Sequence, residues 1–203
     1  MREFSAAHLP RLLKRSLRKQ PGAFETAPAR HLAAVLVPLY LHEGQWHALF
    51  TRRTENVETH RGQVSFPGGL IEPGDKDSVQ AALREAEEEI GLAPQDVRVL
   101  GHLDPSPTLT HFLILPVVGT IPWPYPLRPN IVEVASVFGV PLAWLADPEN
   151  VRSEMYSPPD RESSVPVHFF HPYQGEVIWG ATARIVLNLL TYLPERKARN
   201  GAG

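Results

Sequence analysis

The chain has 203 residues, 43% of them apolar and 21% charged, with a formal net charge of −2. That is the size and composition of one generous globular domain with its own core, and near-neutrality offers no broad attraction to nucleic acid or to an anionic membrane. Cysteine is absent, which excludes disulfides, thiolate zinc sites and cysteine nucleophiles and fits a cytoplasmic location.

The N-terminal stretch carries Arg11, Lys14, Arg15, Arg18 and Lys19 at helical spacing. It has neither the continuous apolar segment nor the small-residue cleavage site of a secretory signal. It reads as a peripheral helix packed on the domain, with an Arg-rich transit peptide as the alternative. His31 to Leu41 is apolar and partly β-branched, the pattern of a central strand. His42 to Gln45 reads as a turn, and Trp46 to Arg52 as the antiparallel return. Gln63 to Phe66 predicts a short strand running into Pro67-Gly68-Gly69. A helix is predicted over Ser78 to Ile90, then strands near Val97 to His102 and Phe112 to Thr120. The latter is the longest apolar run, broken by Pro116 and far short of the roughly 20 residues that span a bilayer.

Ile121 to Asn130 (IPWPYPLRPN) holds four prolines and cannot be regular structure; it reads as a long stiff loop, functional or merely connecting. Ile131 to Val140 predicts a strand, Pro141 a short helix around Ala143 to Ala146, Val165 to His171 with Glu176 to Trp179 a hairpin, and Ala181 to Leu193 a closing helix. No repeat or low-complexity block interrupts this order. The expected organisation is a basic N-terminal extension (1–30), a single domain (31–194) built on a mixed sheet flanked by helices on both faces, and a polar tail (195–203).

The segment SVQAALREAEEEIGL, Ser78 to Leu92, carries the chemistry. Ser78 is the expected N-cap, with Asp75 and Asp77 suited to the positive helix end, and Gly91 suits a left-handed C-terminal stop. Val79, Leu83, Ala86 and Ile90 fall on one stripe, the expected buried face. Glu85, Glu88 and Glu89, at i, i+3 and i+4, share another. Like charges so spaced destabilise a helix by some tenths of a kcal/mol per pair, and a divalent cation would reverse that sign. The bland alternative is a solvated acidic face. Upstream, Phe66-Pro67-Gly68-Gly69 puts two glycines at a strand end, where backbone can approach a ligand closely.

Together these residues resemble the Nudix box, Gly-x5-Glu-x7-Arg-Glu-U-x-Glu-Glu-x-Gly-U, with U a bulky aliphatic residue. Gly69, Arg84, Glu85, Ala86, Glu88, Glu89, Gly91 and Leu92 match it. Asp75 replaces the first glutamate, with eight rather than seven residues between it and Arg84, and Ala86 is smaller than the usual aliphatic. Leu49-Phe50-Thr51-Arg52-Arg53-Thr54, Gly62 and Phe66-Pro67-Gly68-Gly69 also resemble the upstream signature of the coenzyme A pyrophosphatase branch. Here Phe50, Thr54 and Glu58 stand where Leu, Ser or Ala, and Arg are expected. Ile178 to Ala183 and the pairs Glu133-Val134 and Pro141-Leu142 are similar to that branch's later landmarks, so the likeness runs from about Ala33 to Leu190.

The resemblance implies a Nudix-like α/β/α sandwich (α/β, of α+β type) and hydrolysis of coenzyme A or its derivatives to 4′-phosphopantetheine and 3′,5′-ADP, with Mg²⁺ or Mn²⁺. It assigns Glu85, Glu88 and Glu89 to the metal and Arg84 to orienting a carboxylate. Gly68 and Gly69 would shape the approach of helix and diphosphate. Glu133 is the candidate general base, with a plain strand-end carboxylate as its alternative. Arg52, Arg53 and Arg61 are candidates for substrate phosphates, although Arg52 and Arg53 must point to opposite faces of a strand. His60 is a further candidate contact. Trp123 and Tyr125 either stack on adenine or pack, and His168 and His171 read as strand residues. The rival readings are a hydrolase of ADP-ribose, a dinucleotide or a nucleoside triphosphate, and a non-catalytic ligand-binding domain on the same fold. The partner is a small nucleotide-derived molecule, not nucleic acid or membrane, and a homodimer stays open.

Overall fold

The computed structural model describes residues 8–21, 31–55, 62–109, 111–158 and 163–193. Helix α1 (His8–Ser16) leads into strand β1 (His31–His42), followed by β2 (Gln45–Arg53), β3 (Val64–Ser65) and β4 (Gly68–Leu70). Helix α2 (Ser78–Ile90) precedes β5 (Arg98–His102), β6 (Ser106–Pro107), β7 (Phe112–Thr120) and β8 (Val134–Pro141). A short helix α3 (Leu142–Leu145), strands β9 (Val151–Tyr156) and β10 (Val165–Phe170) and helix α4 (Gly180–Thr191) complete the order.

The main sheet runs β3-β2-β1-β7-β5, with β4 added to β1, β6 to β7 and β8 to β2. β1 and β7 are parallel, from His31 opposite Phe112 to Leu39 opposite Thr120, and their neighbours are antiparallel. The sheet is therefore mixed, as expected. The other edge of β1 is shared: Leu39 to His42 pair with β2, whereas Ala33 to Val35 pair with β4. Leu36 N–H donates to Pro67 O at 2.9 Å where the two partners diverge.

β1 has eight consecutive buried residues because helices cover both faces of the sheet. Val35, Val37 and Leu39 join a cluster with Leu9, Leu13 and Leu17 of the N-terminal segment and Ile185, Val186 and Leu189 of α4. Ala34, Leu36 and Tyr40 join a second cluster with Ala81, Ala82, Ala86 and Ile90 of α2. The period-2 alternation of strand side chains sends one set to each layer. On α2, Ala86 and Ile90 are buried as expected, while Val79 and Leu83 are only partly so and Ala81 and Ala82 are fully buried. The buried stripe is thus rotated towards the alanines, and small side chains bring α2 close to the sheet. In the described residues no helix is long and apolar enough to cross a membrane.

Three expectations about local structure are corrected. The N-cap of α2 is Asp77, whose Oδ1 accepts from Gln80 N–H at 2.8 Å; Ser78 lies one residue inside the helix and is buried. Residues 131–133 form a turn, and β8 begins only at Val134. β10 pairs with β9 throughout its length, and residues 176–179 contribute only isolated bridges. Five of the six β9 residues are exposed, so no apolar pattern marks it. The proline-rich loop is irregular, as expected.

The N-terminal segment also finishes one sheet edge. Arg18 N–H donates to His102 O and His102 N–H to Arg18 O, at 3.2 and 2.8 Å. The His102 ring is 4% exposed, with Nε2 in hydrogen-bond contact with Ser78 Oγ at 3.2 Å. Burial disfavours the imidazolium and holds its pKa below the ordinary value. The unfolded chain therefore takes up this proton first as pH falls, so the His102 contribution is complete above about pH 6.5 and is lost below it. Urea midpoints measured at pH 7.5 and 5.5 should show a smaller acid-induced loss in His102→Gln than in the unmodified chain. An equal loss in both would exclude His102 as the source.

Candidate active site

The site forms where α2 meets β4. Gly68 and Gly69 pair with Val35 and Ala34 of β1, and neither has room for a side chain. A Cβ on Gly68 would lie 2.4 Å from Ala34 O and 2.6 Å from Val35 Cα, and one on Gly69 would lie 2.5 Å from Glu85 Oε1. The bare backbone of Gly68 lets β4 lie close on β1, and that of Gly69 leaves room for the Glu85 carboxylate of α2 against the strand. At the other end of the helix, Gly91 adopts φ 68° and donates to Glu87 O and Ala86 O, the left-handed stop expected of it.

Glu89 points into this contact and is only 3% exposed. Its Oε2 accepts from Gly68 N–H at 3.3 Å and its Oε1 from Arg53 Nη1 at 3.5 Å. Both interactions favour the carboxylate, but burial outweighs them, and Glu85 and Glu133 add like-charge repulsion. The result is a pKa pushed up to about 8. Glu85, half-buried, is raised for the same first reason, and Glu88 and Glu133 repel its charge too. Glu88 is the outer member, with its side chain 58% exposed. The three glutamates thus grade from buried to solvated along one helix.

Arg84 organises the cluster. Its Nε and Nη2 donate to the two oxygens of Asp75 at 3.2 and 3.1 Å, a bidentate pair. Nη1 donates to Glu85 at 2.9 Å and to Glu88 at 3.2 Å, and Nη2 also reaches Leu70 O at 3.1 Å. Asp75 is itself held by Glu72 N–H at 2.8 Å, and its pKa is lowered chiefly by Arg84. Asp75, the residue that departs from the box pattern, therefore serves as the anchor of Arg84. Sequence spacing alone could not show this, because the extra loop residue hides which group it would meet.

Among the described residues no three acidic or histidine side chains converge into a ready-made metal cage, and Arg84 engages both Glu85 and Glu88. The donors nevertheless suit a hard cation. They are all carboxylate oxygens, one of them buried with its charge poorly compensated, and Mg²⁺ binds through one or two carboxylates plus water and substrate phosphates, not a closed protein cage.

Arg52 and Arg53 diverge as strand alternation requires. Arg53 joins Glu89, and its Nε is buried with no hydrogen-bond partner among the described residues. Arg52 faces Glu55 and Glu176 at 3.5 and 3.8 Å, away from the glutamate cluster. Glu58, His60 and Arg61 lie outside the described residues. Trp123 stacks on Tyr40 with centroids 4.0 Å apart. Tyr125 Oη accepts from Ala93 N–H at 3.1 Å and donates to Asp96 at 2.8 Å. Both rings are thus used in holding the proline-rich loop. His168 contacts Ser153 Oγ at 2.7 Å, within the β9–β10 ribbon.

Glu133 acts electrostatically on Glu85 and Glu89 from the turn before β8. Its neighbour Asn130, which the sequence did not single out, donates through Nδ2 to Glu133 Oε1 at 3.2 Å. Asn130 N–H also donates to Glu89 O, and Arg128 N–H to Ile90 O, each at 2.8 Å. The end of the proline-rich loop therefore satisfies carbonyls that the helix terminus leaves free.

Replacing Asp75 with Ala should release Arg84 from its anchor while leaving the three glutamates in place. Loss of such an outer partner typically costs about 10- to 100-fold in metal affinity or activity, measurable by Mn²⁺ titration and by turnover. Unchanged values in both would remove Asp75 from the site.

A NUDIX domain family model matches residues 29–157, more than half the chain. A protein of Photorhabdus laumondii described as uncharacterized Nudix hydrolase NudL is 40% identical over 160 residues, covering 79% of this chain and 83% of the relative. A protein of Cronobacter sakazakii with the same description is 36% identical over 196 residues, covering 96% and 99%. Among solved structures, a MutT/nudix family protein from Enterococcus faecalis has a TM-score of 0.53 at 15% identity, covering 84% of this chain and 64% of that one, a likeness of fold alone. The matched region contains α2, β4 and Arg84 with its partners, and the chain belongs to the Nudix hydrolase family.

Proposed function

We propose that the chain is a metal-dependent diphosphatase that splits coenzyme A or its derivatives into 4′-phosphopantetheine and 3′,5′-ADP. The observation that carries the reaction type is Glu89, a carboxylate 3% exposed whose charge is poorly compensated beside the bare backbone of Gly68. A divalent cation, Mg²⁺ or Mn²⁺, held by Glu85, Glu88 and Glu89 would supply charge neutralisation and acidify water near the diphosphate.

The chain's own residues have distinct tasks. Arg84, tied to Asp75, bridges Glu85 and Glu88 and orients both. Gly68 and Gly69, without side chains, let β4 and the glutamate face of α2 close together and so shape the approach of the diphosphate to the glutamates. Arg53, beside Glu89, keeps a guanidinium charge next to the glutamates, where the diphosphate would meet it. Glu133 takes the proton of the attacking water. That water's oxygen bonds to one phosphorus as the bridging P–O bond breaks, and the bridging oxygen leaves on the other phosphate. The coenzyme A assignment is supported by Leu49 to Thr54, Gly62 and Phe66 to Gly69. Glu58, where that signature has arginine, favours the second reading, a hydrolase of ADP-ribose, a dinucleotide or a nucleoside triphosphate.

Product analysis with coenzyme A, ADP-ribose, NADH and a dinucleoside polyphosphate, each with Mg²⁺, Mn²⁺ or chelator, separates these readings. Metal-dependent release of 3′,5′-ADP with coenzyme A preferred is the expected result; preference for another compound replaces the substrate and keeps the chemistry. Silence on all four with either metal supports the non-catalytic ligand-binding alternative. Exchanging Glu88 and Glu89 together for Gln should abolish turnover with the fold retained by circular dichroism. Full activity in that double variant would overturn the metal assignment.

A further inference from the structure

Glu133 is held by polar bonds more than by packing. It ends a short turn whose Ile131 and Val132 side chains are 85% and 69% exposed, so apolar burial does little to fix the turn. Two residues from different segments grip it. From the end of β2, Thr54 N–H donates to Glu133 O at 2.9 Å and Thr54 Oγ1 to Val132 O at 2.7 Å. From the loop before the turn, Asn130 uses all four of its polar groups. Its N–H donates to Glu89 O at 2.8 Å, and its carbonyl accepts from Glu133 N–H and Val134 N–H at 2.9 and 2.8 Å. Its Oδ1 accepts from Val132 N–H at 3.2 Å, and its Nδ2 donates to the Glu133 carboxylate at 3.2 Å.

The path Glu89–Asn130–Glu133 has a specific consequence. Glu89 carries the buried carboxylate of α2, and the same residue's backbone carbonyl anchors Asn130. Asn130 therefore ties the Glu133 carboxylate to the backbone of Glu89, while Thr54 holds the same turn from β2. We propose that Asn130 and Thr54 are positioning residues of the diphosphatase reaction, holding the Glu133 carboxylate in register with Glu89 so that base and metal helix form one rigid unit. The inference rests on the proposed role of Glu133 as general base. A base must lie within hydrogen-bond reach of the proton it takes, and a displacement of about 1 Å can cost roughly 100-fold in rate.

The test is steady-state kinetics with Mg²⁺ and coenzyme A, and in parallel ADP-ribose. Asn130→Ala should lower kcat by about 10- to 100-fold with KM within about twofold, since substrate binding is untouched. Thr54→Val, which keeps the side-chain shape and removes the hydroxyl, should act in the same direction, and Thr54→Ser should recover the loss. The decisive arm repeats Asn130→Ala in a Glu133→Gln background. A residue that acts through Glu133 has nothing further to lose there, so kcat should not fall again. Unchanged kcat in Asn130→Ala, or an equal further loss in the Glu133→Gln background, would each overturn the proposal. Failure of the underlying reading looks different: it is full activity of Glu133→Gln alone, retained activity in the Glu88 and Glu89 double variant, or silence of the unmodified chain on both substrates.

Discussion

The absence of side chains at Gly68 and Gly69 is the constraint on which the site depends. A Cβ on Gly68 would collide with Ala34 and Val35 of β1, and one on Gly69 would displace the Glu85 carboxylate, so the first glycine lets β4 close on β1 and the second lets the glutamate face of α2 rest on β4. With helix and strand in contact, Glu89 is 3% exposed and its carboxylate sits against Gly68 N–H and Arg53. The charge problem at the centre of the molecule is thus a steric result. The alanines at 81, 82 and 86, all fully buried, serve the same close approach from the helix side.

Arg84 limits the cost of that arrangement at the rim. Like-charge neighbours on a helix are mutually unfavourable, and one guanidinium shared among Asp75, Glu85 and Glu88 offsets the outer part of the cluster. It does not reach Glu89. The inner carboxylate is left with long contacts at 3.3 and 3.5 Å, and this imbalance between a well-satisfied rim and a poorly satisfied centre distinguishes the cluster from an ordinary acidic surface. A solvated face would need neither the bidentate anchor at Asp75 nor the bare strand beneath it.

The parts of this design legible in sequence were those written in local periodicity. The helix over Ser78 to Ile90 announces itself through its stripe and its terminal glycine, β1 through its apolar run, and the Arg52/Arg53 divergence through strand alternation. What stayed hidden depends on partners distant in the chain or on exposed residues. β9 is almost wholly solvated, so VRSEMY carries no apolar alternation to read. Asp75 becomes an anchor only when the loop folds back to Arg84, and Arg53 meets Glu89 across 36 residues. The turn at 131–133 interrupts what reads as a continuous β-branched run, because Asn130 bonds the helix end and the turn backbone. Asp77 displaced Ser78 as cap by a single residue, within the usual uncertainty of a helix start.

The pairing of β1 with β7 bears on how such a site comes into being on the ribosome. One edge of β1 can close early, against β2 through a tight turn at Glu43 and Gly44. The other edge waits for a strand roughly eighty residues later, a separation typical of slow, non-local pairing. α2 emerges between the two and packs on both strands, so the seat of the helix bearing the glutamates is complete only with β7 in place. A nascent chain stopped before Phe112 would hold every glutamate of the cluster and the glycines beneath them, and still lack one of the strands on which their helix is seated.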